Sequence, residues 1–229
     1  MAPDEQALAL VIDGSPEGTQ VVRALLEREG YAVEVTPEGR RGLAYARARQ
    51  PELVILDLAL RDANGMEVCR ELRRFTDAYV VMVSDRDRDV DKVVGLAVGA
   101  DDFVVKPYSP HELTARVRAL RRRPRIPAPR QPRDFGRLVV DPGAREVCLD
   151  GAPVPLTRIE FDLLELLSRQ PRCTVTRKDV LAQIWGPWFG DDHVIEVHLA
   201  KLRRKLGETA AGGGHIATVR GVGYRFDPP

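Results

Sequence analysis

Short runs of apolar residues alternate with segments of helical spacing through the first half of the chain. The runs are uninterrupted and consist of β-branched and aliphatic residues, which is typical of interior strands in a parallel sheet. They cover residues 7–12, 53–56, 78–84 and 103–105, with a shorter strand at 31–35. The segments of helical spacing cover residues 17–28, 38–49, 65–75, 89–98 and 110–123. This order predicts an α/β, doubly wound, five-stranded parallel sheet with right-handed crossovers.

The second half shows a different pattern, in which short strands are followed by three amphipathic helices. Strands at 138–140 and 147–149 are punctuated by Asp-Pro-Gly and Asp-Gly turns, as antiparallel hairpins require. Thr157, with Glu160 three residues later, forms a capping box for a helix that runs to residue 168. Two more helices are predicted at 176–185 and 191–206, and two short strands lie within 217–226. A separate α+β domain is therefore predicted.

A proline-rich stretch separates the two patterns. Residues 121–133 hold four prolines, six arginines and no acid, which is typical of a semi-extended linker. We predict a first domain at 1–123, a linker at 124–134 and a second domain at 135–229. A chain of 229 residues accommodates two domains of about 100 to 120 residues each.

The composition, with 44% hydrophobic and 30% charged residues, is that of an ordinary globular protein. No apolar run approaches the roughly 20 residues that span a bilayer, and no basic leader precedes an apolar segment at the N-terminus. A cytoplasmic location without membrane contact is therefore expected. The three cysteines, Cys69, Cys148 and Cys173, have no metal-ligand spacing and are predicted to be buried thiols.

Charge is distributed unevenly, although the formal net charge is only +1. Residues 1–120 hold 16 Lys and Arg against 21 Asp and Glu, whereas residues 134–229 hold 13 of each. The excess of arginine lies in the linker. A nucleic-acid site in the last third must therefore depend on where its charges lie and not on their sum.

Polar residues end four of the predicted strands. Asp13 follows the first strand, Asp57 the third, Ser84 the fourth and Lys106 the fifth. Because the carboxyl ends of parallel strands meet at one edge, these side chains are expected to converge there. Two carboxylates, a hydroxyl and an ammonium suit a site that binds a hard cation and accepts a phosphoryl group. Each residue alone also fits a turn or a solvated surface, but four successive strand ends favour the functional interpretation.

Residues 7–123 resemble the receiver domain of bacterial two-component response regulators. The resemblance is carried by the strand that ends in Asp57, by Ser84, by GADDFVVKPYSP at 99–110 and by the preceding VID. It implies that a sensor histidine kinase phosphorylates Asp57 with Mg²⁺ bound, and that Ser84 and Lys106 engage the phosphoryl oxygens. It further implies that Phe103 is the aromatic switch residue and that the peptide bond before Pro107 is cis.

The same resemblance implies a metal site made by Asp13, Asp57 and the backbone carbonyl of Ala59. Receivers usually carry two adjacent acids after the first strand, and here the pair reads Asp13-Gly14. One metal ligand is missing, so weak Mg²⁺ binding is expected. A further departure is Asp85, which stands where the family has a small residue and could reach the metal instead.

The third helix of the second half has one apolar face and one basic face. A narrow stripe at 3.6 residues per turn contains Ile195, Leu199, Leu202 and Leu206. The opposite face carries His193, Val197, Ala200, Lys201 and Arg204. Such a face suits a major groove, with Glu196 to the side, although a solvated surface helix has the same pattern. Arg220, at the turn between the last two strands, could reach a minor groove.

Residues 135–228 resemble the winged helix-turn-helix effector domain of the OmpR/PhoB subfamily. The resemblance is carried by LTRIEFDLLELL, VIEVHLAKLRRKL and VRGVGYRF. It implies an N-terminal four-stranded sheet and tandem binding to direct repeats in promoter DNA. It also implies a loop that meets RNA polymerase, which here contains Trp188 and Phe189. His198 stands where the family has histidine and is expected to flank the basic face.

The family also forms dimers through the fourth helix, fifth strand and fifth helix of the receiver. The matching ion pairs between two copies are Lys92 with Glu112, Asp102 with Arg116, and Asp101 with Arg122 or Arg123. Such exposed pairs contribute about 0 to 1 kcal/mol each, so they are expected to set the register of a homodimer more than to drive it.

Together with these patterns, the two resemblances imply a DNA-binding transcriptional response regulator that is controlled through Asp57, binds promoter DNA as a dimer and is not an enzyme. One alternative is a regulator of the same architecture that is dimeric without phosphorylation, because Gly14 replaces a metal-binding acid. A second alternative is a phosphatase-type enzyme with Asp57 as nucleophile, against which the DNA-binding domain argues.

Overall fold

Five parallel strands form the sheet of the first domain. The computed structural model describes residues 6–85, 87–121, 131–186, 193–208 and 214–228, without the side chains of 120 and 121. The strands are β1 (Ala7–Ile12), β2 (Tyr31–Thr36), β3 (Leu53–Asp57), β4 (Tyr79–Ser84) and β5 (Asp102–Val105), in the order β2-β1-β3-β4-β5. Every residue of β3 and β4 is buried, as expected for strands with helices on both faces. The predicted doubly wound sheet is confirmed.

Five helices alternate with these strands. They are α1 (Pro16–Arg28), α2 (Gly39–Arg49), α3 (Gly65–Leu72), α4 (Asp89–Val98) and α5 (Pro110–Arg121). The side chains of Ser15 and Asn64 cap α1 and α3 by accepting backbone N–H groups. The end of α3 lies earlier than predicted. Arg74 and Phe75 donate their backbone N–H groups three residues back, so the chain leaves the helix through tighter turns.

A buried ion pair joins the end of α3 to the strands beside it. Arg73 donates from Nη2 to Asp101 Oδ2 at 2.5 Å, and from its other nitrogens to the carbonyl oxygens of Ala78 and Gly99. Asp101 is fully buried directly before β5 and also accepts a backbone N–H of β4 at 2.8 Å. This burial corrects the expectation that Asp101 is exposed to pair with Arg122, which itself lies outside the described residues.

The chain divides into two compact units, Met1–Arg118 and Ala119–Pro229, and the second contains two antiparallel sheets. The first sheet has the order β6 (Arg133–Phe135), β7 (Leu138–Asp141), β8 (Glu146–Leu149) and β9 (Ala152–Pro153). The other has β12 (Gly223–Phe226) between β10 (Thr174–Thr176) and β11 (Ile216–Val219). The pattern of residues did not predict β6, β9 or β10 individually, because two or three residues are too few to show alternation.

Three helices complete the second unit: α6 (Arg158–Ser168), α7 (Arg177–Ile184) and α8 (His193–Lys205). The predicted capping box is confirmed, since Glu160 Oε2 accepts from Thr157 N at 2.8 Å while Thr157 accepts from Glu160 N. The predicted apolar stripe of the last helix is also confirmed, because Ile195, Leu199, Leu202 and Leu206 are all buried. Trp188 and Phe189, predicted to contact RNA polymerase, lie outside the described residues.

The cysteines differ in burial. Cys69 is buried, as predicted, but Cys148 is partly exposed and Cys173 is exposed. The prediction of buried thiols is therefore wrong for the second unit, where these two residues lie in or beside short strands that solvent reaches. Among the residues described, no helix has both the length and the apolar character needed to cross a membrane.

We expect Arg73→Ala to destabilise the first domain by about 3 kcal/mol, because it removes the guanidinium from beside a fully buried carboxylate. Arg74→Ala is the matched control, since the ion pair of Arg74 with Glu71 is largely exposed, and it should cost less than about 1 kcal/mol. Urea unfolding of both variants and the parent chain measures the difference. Equal losses in the two variants would contradict the role assigned to Arg73.

Candidate functional site

The residues that end β1, β3, β4 and β5 converge at the carboxyl edge of the parallel sheet. Lys106 Nζ donates to Asp13 Oδ2 at 3.0 Å and to Asp57 Oδ2 at 2.9 Å. Ser84 is buried at the end of β4, and its carbonyl oxygen accepts from Lys106 N at 2.8 Å. The structure thus brings together the two acids and the lysine, and it ties the serine and the lysine through their backbones.

Backbone N–H groups orient both carboxylates. The Oδ1 atoms of Asp13 and Asp57 accept from the backbone two residues later, at 2.7 Å from Ser15 and 2.9 Å from Ala59. Each acid therefore turns its other oxygen towards Lys106. Burial is the largest influence on the pKa of Lys106 and lowers it, but the hydrogen bonds and charges of Asp57 and Asp13 together outweigh burial and raise this pKa above its ordinary value. The ammonium group stays charged and balances the buried acids.

The loop after Asp57 is fastened to the start of α2. Asp62 accepts from the backbone N–H groups of Gly39 at 2.8 Å and Arg40 at 3.1 Å. These bonds cap α2, whose own N-cap residue, Glu38, makes no side-chain bond to the helix. Both bonds, that of Arg40 first, lower the pKa of Asp62. Asp62 was not predicted from the sequence; the available signal was a helix start that lacks Ser, Thr, Asp or Asn at its N-cap.

Phe103, the predicted switch residue, packs against α4. A Cβ atom added at Gly95 of α4 would lie 2.9 Å from Phe103 Cδ2 and 3.0 Å from Met82 Sδ, so the helix and the ring are in close contact. The peptide bond between Lys106 and Pro107 is cis, as the resemblance implies. The strand that carries Lys106 at its end therefore also carries a ring in contact with α4.

The residues predicted to face DNA lie at the surface of the second unit. On α8, His193, Ala200 and Arg204 are exposed, and Val197 and Lys201 are partly exposed. Arg220 is exposed at the turn between β11 and β12. A helix face with basic side chains and a hairpin with an arginine at its tip therefore occur in one domain.

Two other residues of α8 differ from prediction. His198 is 1% exposed, and its ring centroid lies 5.8 Å from that of Trp185. The expectation that His198 flanks the basic face is wrong, because its position on α8 adjoins the buried apolar stripe. Glu196 does not merely lie to the side: it pairs with Arg177 of α7 and accepts from Tyr224 Oη of β12 at 2.8 Å.

Residues that were predicted to pair between two copies form pairs within one chain. Arg116 Nη1 donates to both carboxylate oxygens of Asp102, at 2.9 and 2.8 Å, and Nη2 donates to Glu112 at 2.8 Å. Lys92 pairs with Asp87 at 2.8 Å. The expectation of an exposed pair between Asp102 and Arg116 is wrong, because the arginine of α5 reaches the first residue of β5 and both side chains are buried.

Both domains of this chain match families of known proteins. Residues 9–118 match the family described as response regulator receiver domain, and residues 151–226 match transcriptional regulatory protein, C terminal. The DNA-binding response regulator MtrA of Mycolicibacterium smegmatis is 40% identical over 222 residues, which cover 96% of each chain. This chain belongs to the DNA-binding response regulators of two-component systems.

Further relatives match this response regulator over nearly its full length. The transcriptional regulatory protein AfsQ1 of Streptomyces coelicolor is 38% identical over 221 residues, which cover 93% of this chain and 96% of that protein. The response regulator DrrB, a Thermotoga maritima OmpR/PhoB homologue of known crystal structure, has 28% sequence identity to this chain. Its structure matches with a TM-score of 0.53, and the match covers 97% of this chain and 99% of that chain. A receiver followed by a winged helix-turn-helix domain is therefore the architecture of this chain.

Receiver domains typically use Mg²⁺ at the phosphorylation site, and this response regulator offers a reduced set of ligands for it. Asp13 and Asp57 supply two carboxylates at the sheet edge, and Ala59 is exposed in the loop that follows. Magnesium is commonly held by one or two carboxylates, with waters and phosphate completing the octahedron. No group of three or more His, Cys, Asp or Glu that could hold a metal occurs among the described residues. The residues present therefore fit a cation held largely by water and phosphate.

A side chain can be accommodated at Gly14, because a Cβ atom there would meet only Pro37 O, at 4.0 Å. We expect Gly14→Asp to raise both the Mg²⁺ affinity and the rate of labelling by acetyl phosphate by about tenfold, since it adds a carboxylate next to Asp13. Calorimetric titration with Mg²⁺ and gel separation of the labelled protein measure the two effects.

Two variants control this experiment. Gly14→Asn has the size of the aspartate without its charge and should gain little. Asp85→Ala tests whether the exposed acid after β4 takes the missing place. Parent protein that binds Mg²⁺ as tightly as Gly14→Asp, and is unaffected by Asp85→Ala, would show that Gly14 is a harmless substitution.

We expect Lys201→Ala, Arg204→Ala and Arg220→Ala each to reduce affinity for a direct repeat, selected from random DNA, by about tenfold. Each lost phosphate contact should also reduce the slope of log affinity against log salt by about 0.9. Arg137→Ala, which removes an exposed arginine in the turn between β6 and β7 that pairs with Asp150, is the control. Unchanged binding in all three variants, measured by fluorescence anisotropy at several salt concentrations, would refute the assigned DNA face.

Proposed function

We propose that this response regulator accepts a phosphoryl group on Asp57 from a sensor histidine kinase and then binds promoter DNA as a homodimer. The observation that carries the proposal is the contact of Lys106 with two buried carboxylates at one sheet edge. Asp57 offers a nucleophilic oxygen, Lys106 offers positive charge, and Ser84 offers a hydroxyl to the phosphoryl oxygens. Mg²⁺, when bound, would neutralise charge on those oxygens.

The transfer needs few protein groups. An oxygen of Asp57 attacks the phosphorus of the kinase phosphohistidine, the oxygen–phosphorus bond forms, and the bond from phosphorus to the imidazole nitrogen breaks. The resulting aspartyl phosphate is more negative than the carboxylate from which it forms. Lys106, which bonds to Asp57 before transfer, then has stronger acceptors in the phosphoryl oxygens. Because Lys106 follows β5, this change acts on the strand whose Phe103 contacts α4.

A second candidate is a regulator of the same architecture that forms dimers without phosphorylation. The observation that favours it is that Lys106 bridges Asp13 and Asp57 while Gly14 contributes no third acid. Removing one acid reduces the repulsion among the carboxylates. An active-like arrangement could then be populated without a phosphoryl group.

The proposed dimer surface lies on α4. Val90 is 71% exposed, and Val93 and Val94 are exposed one turn further along the same helix. Exposed apolar side chains that cluster in this way mark interaction surfaces more often than isolated ones. Lys92 and Glu112 are partly exposed, so they could form ion pairs at the rim of such an interface. Asp102 and Arg116, paired internally, would instead support α5 from within.

The family resemblance also supports a contact with RNA polymerase and a cytoplasmic location. Trp188 and Phe189 are proposed to contact RNA polymerase, and the protein is proposed to act in the cytoplasm, where promoter DNA is found. Asp57 is proposed to be a phosphoryl acceptor and not the nucleophile of a phosphatase. A turnover assay with a phosphomonoester tests this last point.

Sedimentation before and after treatment with acetyl phosphate and Mg²⁺ separates the two candidates. We expect the parent chain to shift from monomer to dimer, and Asp57→Asn to remain monomeric. Val90→Asp should weaken the treated dimer by about tenfold or more, because it places a charge in the apolar contact. Val21→Asp, at an exposed position on α1, is the control. Dimers in untreated protein and in Asp57→Asn would support the second candidate instead.

A further inference from the structure

One carboxylate in the second domain connects three separate elements. Glu196, on the first half of α8, pairs with Arg177 at the start of α7 and accepts from Tyr224 Oη on β12 at 2.8 Å. The guanidinium carbon of Arg177 also lies 5.3 Å from the centroid of the Tyr224 ring, which is within the range of a cation–π contact. We call Arg177, Glu196 and Tyr224 the wing brace.

Tyr224 is the buried member of the wing brace, whereas the side chains of Arg177 and Glu196 are each 39% exposed. The Tyr224 side chain is buried, and burial first and the bond to Glu196 second raise the pKa of its hydroxyl group. Burial is also the largest influence on the pKa of Glu196 and raises it, but the bonds from Arg177 and Tyr224 outweigh burial and lower this pKa. The carboxylate is therefore charged at neutral pH. A charged acceptor with two donors holds them more firmly than a neutral one.

Backbone contacts also join the start of α7 to the hairpin. Arg177 N donates to Val222 O, in the turn of the hairpin, at 3.2 Å. β10 pairs with β12 directly before α7. A Cβ atom at Gly223 would lie 2.0 Å from Val175 O, so only glycine allows this approach. The start of α7 and the hairpin thus form one rigid support for Tyr224.

A second contact joins α8 to the other strand of the hairpin. Arg203 donates from Nε to Ile216 O at 3.1 Å and from Nη2 to Thr218 Oγ1 at 2.8 Å, both on β11. The helix is therefore tied to β12 through Glu196 and to β11 through Arg203. Two ties at different points along α8 restrict rotation of the hairpin relative to the helix.

We propose that Glu196 is a positioning residue for DNA recognition, which fixes the hairpin relative to α8 and so sets the spacing between the two groove contacts. The inference builds on the proposed DNA contacts of Lys201, Arg204 and Arg220. A helix in the major groove and an arginine in the adjacent minor groove can bind together only if their separation matches the DNA. Holding that separation before binding reduces the entropy lost on association.

The competing explanation is that Glu196 reads a base itself, as an acceptor for the cytosine amino group. Its Oε1 atom already accepts from two donors in the protein. A base-reading role predicts relaxed selectivity at one base pair and an effect that is independent of Arg220. A positioning role predicts that the contribution of Arg220 depends on Glu196.

The test is a double-mutant cycle on a selected direct repeat. We expect Arg220→Ala to reduce affinity about tenfold in the parent protein but about twofold or less in Glu196→Ala, because Arg203 then ties α8 to the hairpin through β11 alone and the hairpin is no longer held at the separation that its groove requires. Tyr224→Phe removes only the hydroxyl group. Its coupling free energy with Arg220→Ala should have the same sign as that of Glu196→Ala and about half its size. Hydroxyl-radical footprints should lose the flanking minor-groove protection in Glu196→Ala and retain the remainder.

Asp227→Asn is the matched control, because Asp227 is a similarly exposed carboxylate paired with an arginine, Arg225, of its own strand region. It should change neither affinity nor coupling, and thermal melting of every variant monitors folding. Additive losses for Glu196→Ala and Arg220→Ala, or an unchanged footprint in both Glu196→Ala and Tyr224→Phe, would overturn the inference. A parent footprint without any minor-groove protection would show that the proposed Arg220 contact is wrong, and the inference would fall with it.

Discussion

The receiver depends on the balance of charge at the carboxyl edge of its sheet. Asp13 and Asp57 end adjacent buried strands, and two such acids repel each other unless a cation lies between them. Lys106 supplies that cation from the end of β5, at hydrogen-bond distance from both acids. The contact that allows the acids to be buried is also the one that the proposed phosphorylation of Asp57 would change. In that proposal, the stability of the receiver and its signalling depend on the same three side chains.

Other buried charges determine which surfaces remain for partners. Arg73 holds Asp101, and Arg116 holds Asp102, so two acids at the start of β5 are neutralised inside the chain. A buried ion that loses its partner is costly, which makes these pairs poor candidates for exchange between copies. The neighbouring surface of α4 instead presents valines. For the proposed dimer, an apolar contact with charges at its rim fits this distribution better than a surface built from ion pairs alone.

The basic residues of α8 divide in a similar way. Arg203 binds the hairpin, and Lys205 donates to Glu160 at 2.7 Å and to Pro155 O at 2.8 Å, near the start of α6. Arg204 is exposed and Lys201 is partly exposed on the same helix. Arg203 and Lys205 thus orient the helix within its domain, whereas Lys201 and Arg204 are the cations proposed to meet DNA.

Local patterns in the sequence were enough to predict the sheet, the apolar stripe of the last helix and the convergence of Asp13, Asp57 and Lys106. Burial on both faces gives the strands uninterrupted apolar runs, burial on one face gives helices a period of 3.6 residues, and parallel strands bring their ends to one edge, so these features follow from neighbours along the chain. Strands of two or three residues, such as β9, have no period to detect. The partners of Asp62 and Glu196 depend on elements more than 15 residues away. Only the tertiary structure could decide them, because a charged side chain pairs with whatever packing brings within reach.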